Sequence, residues 1–234
     1  MDARRRYEHC IDTLAAGPLF RGIAREEIPR MLGLMRGRCH TFERDDVIQA
    51  FGEPFRLVGI PMSGEVEGSF DSERYDHVSV RRFTVGDVFG AAFACAEVKS
   101  SPIELVAMCK SEVVLLDVRP LWEAEAPSAT EVTLLGNLLR IVSTQSVFLN
   151  RKVRILGQRS LRDRLVVFLR EQPTDRDGWA RVPMSQTALA QFIGANRSAM
   201  SRELGRMEDD GVLERDGSRM RLADGVWRPR PGRP

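Results

Sequence analysis

Four polar residues cluster between positions 197 and 202: Arg197, Ser198, Ser201 and Arg202. On a helix, residues three and four apart are neighbours, so this spacing gathers them on the early, non-core part of one helical surface. A guanidinium can donate two parallel hydrogen bonds to O6 and N7 of guanine, whereas a serine hydroxyl makes a less selective bond to a base edge or a phosphate. Arg202 and Arg197 are therefore candidates for base or near-base contacts, with Ser185, Gln186, Ser198 and Ser201 touching backbone or base edges. Arg219 and Arg221 follow in a short alternating stretch and suit phosphate contacts, which position a protein without reading sequence. Arg206 lies farther along the helix and suits pairing with nearby carboxylates.

These residues need a scaffold, and the stretch from Val182 to Leu222 supplies one. Ser185 can cap a short helix whose Leu189, Ala190 and Ile193 face inward, and Gly194 permits a sharp turn. Asn196 can cap the next helix, with Met200, Leu204 and Met207 as its buried stripe. Two short helices joined by a Gly-containing turn make a helix-turn-helix, whose second helix lies in the DNA major groove. The run "ERDGSRMRL" then reads as strand, tight Asp216-Gly217 turn and strand, the pattern of a wing.

Upstream, Val132, Leu135, Leu139, Val142, Ser146, Leu149, Val153 and Leu156 follow a 3,4,3,4,3,4,3 spacing, one seam of a long helix. At about 1.5 Å per residue this seam runs roughly 36 Å. Leu134, Leu138, Ile141 and Phe148 give the same helix a second apolar flank. One flank is expected to cover a neighbouring domain and the seam to meet a second copy in a homodimer. Ser160, with Asp163 three residues on, reads as the N-cap of a further helix.

Before residue 130 the texture is different. Tyr7 to Met35 offers short amphipathic helices interrupted at Gly17-Pro18 and at Pro29. Beyond Gly37, short β-prone runs ("VIQAFG", "FRLVGIPMSGEVEGSF", "HVSVRRFTVGDVFG", "IELVAM", "SEVVLLDV") alternate with glycine turns. No helix is interposed between them, so an antiparallel barrel or roll is expected rather than a parallel α/β sheet.

Bulk properties agree with a two-part chain. The 234 residues carry net charge +2, but residues 1–150 hold 17 basic and 22 acidic side chains against 18 and 11 in the remainder. An acidic piece is thus joined to a basic one, and basic pieces often meet polyanions. No window approaches 18 uninterrupted apolar residues and Met1 to Cys10 is too polar for a secretory signal, so a cytoplasmic protein with no membrane partner is expected. Cys10, Cys39, Cys95 and Cys109 are widely scattered, without the C-x-x-C pairs of a zinc or thioredoxin-like site; Cys95 and Cys109 read as ordinary buried thiols and no metal is expected. The three histidines, 9, 40 and 77, have no catalytic setting, so the chain does not read as an enzyme.

The stretch from Pro183 to Leu213 resembles the helix-turn-helix signature of the Crp/Fnr transcription regulators, and a glycine-rich roll followed by a long helix resembles their upstream order. The resemblance spans most of residues 15–225 and is strongest in the last third. It implies an α+β fold: an antiparallel β-roll (a cupin-like jelly roll) with flanking helices as sensor over 1–129, a dimerisation helix over 130–157, a winged helix-turn-helix over 158–226, and a basic tail over 227–234. It also implies a homodimer on a near-palindromic double-stranded DNA promoter site, with RNA polymerase as a further partner. The family's recognition helix carries an Arg-Glu pair and another Arg four residues beyond the first. Here Arg197 and Arg202 are five apart and Ser198 replaces the Glu, which removes an acceptor for cytosine N4, so the usual half-site is not expected.

The sensor half departs from the family pattern as well. "VGDVFGAAFA" resembles the Gly-Asp-x-Phe-Gly turn, yet Ala91 stands where cyclic-nucleotide binders have Glu. "KSSPIEL" lacks their phosphate-holding Arg and offers only Lys99. A cyclic-nucleotide site is not expected, and Cys10 and Cys39 do not supply the clustered cysteines of an iron–sulfur centre. Haem, with His40, His77 or a thiol as ligand, or a small-molecule effector remains as the signal. An architectural DNA binder, a protein–protein adaptor and an enzyme with an appended nucleic-acid domain are the alternatives to a signal-controlled regulator.

Overall fold

The structure, a computed structural model, describes residues 10–71, 77–182, 184–223 and 225. His9, Trp227 and the basic tail over 227–234 lie outside the described residues. The chain divides into two compact units, Met1–Gln145 and Ser146–Pro234.

The first unit opens with α1 (Ile11–Ala16), a 3-10 turn (Arg25–Glu27) and α2 (Ile28–Leu34). Gly17 ends α1, its N–H returning to the carbonyls of Thr13 and Leu14. Pro29 does not interrupt a helix as expected. It sits in the first turn of α2, where a missing N–H leaves no bond unmade.

The strands β1 (Arg38–Phe42), β2 (Val47–Gln49), β3 (Val58–Ser63), β4 (Val66–Asp71), β5 (His77–Phe83), β6 (Glu104–Ala107) and β7 (Ser111–Leu116) form two antiparallel sheets, ordered β1-β7-β3 and β2-β6-β4-β5. This is the antiparallel roll. The run Val113-Val114-Leu115-Leu116 lies in a central strand with both faces covered, which explains its unbroken apolar character. Val113 faces a roll interior shared with Phe55, Val66, Phe83, Phe89 and Leu105. Val114 and Leu116 face a second core containing Leu14, Phe20, Ile28 and Leu32 from the amino-terminal segment. Gly59 is required where it stands: a Cβ there would lie 1.9 Å from the Phe89 ring.

Two short helices, α3 (Ala91–Cys95) and α4 (Pro120–Glu123), precede the long α5 (Ala129–Leu156). Ser128 and Glu131 begin α5 with a capping box: each side chain accepts from the other residue's backbone N–H, at 3.4 and 3.2 Å. The unit boundary falls within α5. In the first unit, Leu134 and Leu138 are buried in the core beside α1 and α2. Asn137 is buried with them, and its Nδ2 donates to the carbonyls of Leu19 and Arg21 at 2.9 and 2.8 Å. Both amide N–H groups are thereby satisfied.

By length and composition alone, α5 is also the one helix among the described residues apolar enough to cross a membrane. Its apolar residues divide between two faces. Leu134, Leu138 and Ile155 are buried, whereas on the seam Val132, Leu139, Leu149, Val153 and Leu156 are exposed, Leu139 and Val153 at 69 %. Leu135 and Val142 are partly buried and Ser146 is exposed.

The cysteines behave differently from the reading of their surroundings. Cys95, at the end of α3, and Cys109, in the turn between β6 and β7, are exposed, because both stand where an element stops and the chain returns to the surface. Cys10 is buried instead, at the N-cap of α1.

The second unit contains the end of α5 followed by α6 (Leu161–Arg170), β8 (Ala180–Arg181), α7 (Gln186–Phe192), α8 (Arg197–Asp209), β9 (Leu213–Asp216) and β10 (Arg219–Leu222). Ser160 caps α6 as expected, accepting from Asp163 N at 3.0 Å. Ile155, Leu165, Phe168, Leu189, Met200, Leu204, Met207 and Met220 share one core. The three strands make a small antiparallel sheet ordered β8-β10-β9.

Candidate nucleic-acid interface

The geometry of α7 and α8 follows from their caps. Ser185 accepts from Ala188 N at 3.2 Å and Asn196 from Ala199 N at 2.7 Å, so each helix starts where the sequence supplies a short oxygen acceptor. Between them Gly194 takes φ 67°, a left-handed conformation that favours glycine. Arg164 on α6 donates to the carbonyls of Ile193 and Gly194, both at 3.3 Å, fixing the turn from behind. Arg162 donates to Glu203 at 2.7 Å and lies 2.7 Å from Asp210, holding α6 to α8. Neither arginine is conspicuous in the sequence, because its partners lie far along the chain.

With Met200, Leu204 and Met207 buried, the opposite side of α8 faces solvent. At about 100° per residue, Arg202 and Asp209 lie nearest the centre of that face, flanked by Ser198, Gly205 and Arg206, while Ser201 and then Arg197 lie on the flank leading back to the buried stripe. Arg197, Ser198, Ser201 and Arg202 are all exposed, as are Ser185 and Gln186. Ser198 has a local role as well: its hydroxyl donates to the capping Asn196 at 2.9 Å. Arg197 and Arg202 form no ion pair among the described residues. Arg206 pairs with Glu203 at 3.5 Å, and Glu208 pairs with Arg215. The Arg215 guanidinium holds the Glu208 carboxyl below its usual range. Unpaired positive charge thus belongs to the amino-terminal half of α8, while the carboxyl-terminal half is acidic or neutralised. Gly205 was missed as part of this face. The space beside it is open, which leaves a notch between Arg202 and the acidic end.

The wing differs in detail from its reading. Asp216 is the last residue of β9, and the two-residue loop is Gly217-Ser218, with Gly217 at φ 58°. Its arginines are not free. Arg219 pairs with Asp216, Arg221 lies 2.5 Å from Glu214, and both guanidiniums stack on Trp179 at 5.5 and 4.9 Å from the ring centre. Trp179 therefore orders both wing arginines, a role invisible in the sequence because it lies well upstream of β10.

A family model, the Crp-like helix-turn-helix domain, matches residues 163–225. The second unit therefore carries a Crp-like helix-turn-helix domain. With β9 and β10 following α8, it is a winged helix-turn-helix, the architecture of a DNA-binding domain. The fold is shared with the OCPA-complexed structure of CprK, at 14% identity over 84% of this chain and 91% of that one, TM-score 0.61. It is shared with the c-di-GMP-responsive global regulator CLP of Xanthomonas campestris, at 18% identity over 85% of this chain and 99% of that one, TM-score 0.50. Comparison with curated proteins finds no match.

Ala91 is buried at the start of α3, Lys99 is exposed, and the buried Ser101 donates to the carbonyl of Ile103 at 2.5 Å. The roll interior is occupied by aromatic rings, Phe83 and Phe89 at 5.6 Å and Phe55 and Phe93 at 5.1 Å. His40 is exposed on β1, 6.1 Å from the Phe42 ring, and the side chain of His77 lies outside the described residues. A cavity of about 260 Å³ opens instead beside α5, lined by Arg21, Arg81, Asp87, Asn137, Arg140 and Thr144 among others.

Proposed function

We propose that this chain is a homodimeric, sequence-specific transcription regulator whose DNA affinity is set by a signal received in its first unit. The observation that carries the reading is the contrast on α8: a fully buried methionine–leucine stripe on one side, with Arg202 exposed opposite it and Arg197 exposed on its flank, neither in an ion pair among the described residues. Such a face can enter a major groove and donate to guanine, with Ser185, Gln186, Ser198 and Ser201 at base edges or backbone and Arg219 and Arg221 at phosphates. The seam from Val132 to Leu156 would meet its copy, and two reading heads would sit about 34 Å apart on successive major grooves of a near-palindromic site. The Arg-lined cavity beside α5 suits a small anionic effector, which would bias a two-state equilibrium of the helix. RNA polymerase is the further partner, and the cytoplasm the compartment, that this reading implies.

Selection of duplexes from a random pool by the intact protein tests it. Enrichment of one near-palindromic sequence is expected. Equal affinity for every duplex, governed only by salt, overturns the sequence-specific reading and leaves an architectural binder.

A further inference from the structure

We propose that Cys10, Cys39 and Glu112 form a binding site for a thiophilic divalent cation of the zinc class. The three residues are dispersed in sequence and brought together by the fold. Cys39 pairs with Val114 and Thr41 with Glu112 across β1 and β7, so Cys39 and Glu112 are diagonal neighbours on one sheet face. The Cys39 thiol lies 3.0 Å from Glu112 Oε1. Cys10, at the start of α1, packs over the same face, and one ligand atom from each residue falls within 4.8 Å of the others. Zinc–sulfur bonds of about 2.3 Å in a tetrahedron need sulfurs about 3.8 Å apart, so small side-chain adjustments complete three corners. Cys10 is fully buried and Cys39 half-buried.

A divalent ion takes up both sulfurs as thiolates, releasing one proton from each, and accepts the Glu112 carboxylate as third ligand. Two sulfurs and one oxygen select zinc or a similar borderline ion over magnesium or calcium. Occupancy would fasten α1 to the sheet on whose outer core Leu134 and Leu138 of α5 also pack, placing the ion in the body that seats the long helix.

Titration of the reduced full-length protein with cobalt(II) tests the site, with zinc as competitor. The expected result is one ion per chain, a near-ultraviolet thiolate-to-cobalt charge-transfer band, and its loss on adding zinc. Cys39→Ser abolishes that band. Glu112→Gln, nearly isosteric and checked for native circular dichroism, weakens affinity roughly tenfold or more, as expected for disturbed ligation. A Cys95→Ser, Cys109→Ser double variant retains the full signal. Absence of the band, its survival in Cys39→Ser, or its loss in the double variant overturns the proposal. So does an internal Cys10–Cys39 disulfide, formed with glutathione disulfide, in a protein that takes up no metal in either redox state.

Discussion

Arg162 donates from Nε to Glu203 Oε1 at 2.7 Å, latching α6 to α8. The latch is built from a 35 % exposed arginine and a 15 % exposed glutamate, so its worth is that of a semi-exposed pair. Arg162→Ala is expected to lower stability by about 1 kcal/mol. It is also expected to weaken DNA binding more than that loss explains, because α8 then loses both of its ion pairs to Arg162 on α6. Chemical denaturation alongside DNA titration checks this; equal losses in both would reduce the latch to a stability contact.

Arg202 occupies the centre of the exposed face of α8. Arg202→Ala is expected to cost about 1–3 kcal/mol of binding and to relax the preference for one base pair. Affinities measured over a panel of single-base variants separate the outcomes. A uniform loss over the whole panel would make Arg202 a phosphate contact.

On the wing, Arg219 is neutralised by Asp216 while stacking on Trp179. Asp216→Asn should free that guanidinium. Tighter binding to all duplexes and a steeper salt dependence, by roughly one counterion, are expected. If affinity at several salt concentrations is unchanged, the wing does not reach the phosphates.

Leu139 is 69 % exposed at the middle of the α5 seam. Leu139→Asp is expected to convert the protein to a monomer with its fold retained, because a charge would be buried without a partner only in the dimer. Sedimentation at low micromolar concentration reads the result directly. A persisting dimer would move the interface elsewhere.

Asp117 is buried and bound to Arg119 through Nε and Nη2 at 2.9 and 2.6 Å, which holds its carboxyl below the ordinary range despite the opposing effect of burial. A depressed carboxyl stabilises the fold above its unfolded value near about pH 4, and that contribution is lost as pH falls through the folded value. Asp117→Asn is therefore expected to lower stability at neutral pH and to flatten the acid limb below about pH 4. Denaturation midpoints from neutral pH downward test this, and an unaltered acid limb would assign the sensitivity to other carboxylates.

What could be read from the sequence was local chemistry. Ser160, Ser185 and Asn196 announce helix starts because a cap needs only a short acceptor and an N–H three residues on. The stripe of Met200, Leu204 and Met207 is equally local, and it leaves Arg202 outward by elimination. Pro29 misled because the same residue that breaks a helix interior is welcome in its first turn. The remaining features depend on long-range pairing. Arg164 reaches the Gly194 turn, Trp179 lies under Arg221, and Cys10 meets Cys39 and Glu112 only because strands and helices converge. No spacing rule along the chain encodes those meetings.

Asn137 places its two amide hydrogens on the carbonyls of Leu19 and Arg21. That geometry acts as a detent. Sliding α5 past the amino-terminal segment by a single residue would carry the buried amide off both acceptors at once. Displacements are therefore resisted unless residues 19–21 move with the helix. In the regulator proposed above, any signal that shifts α5 would have to carry that segment along.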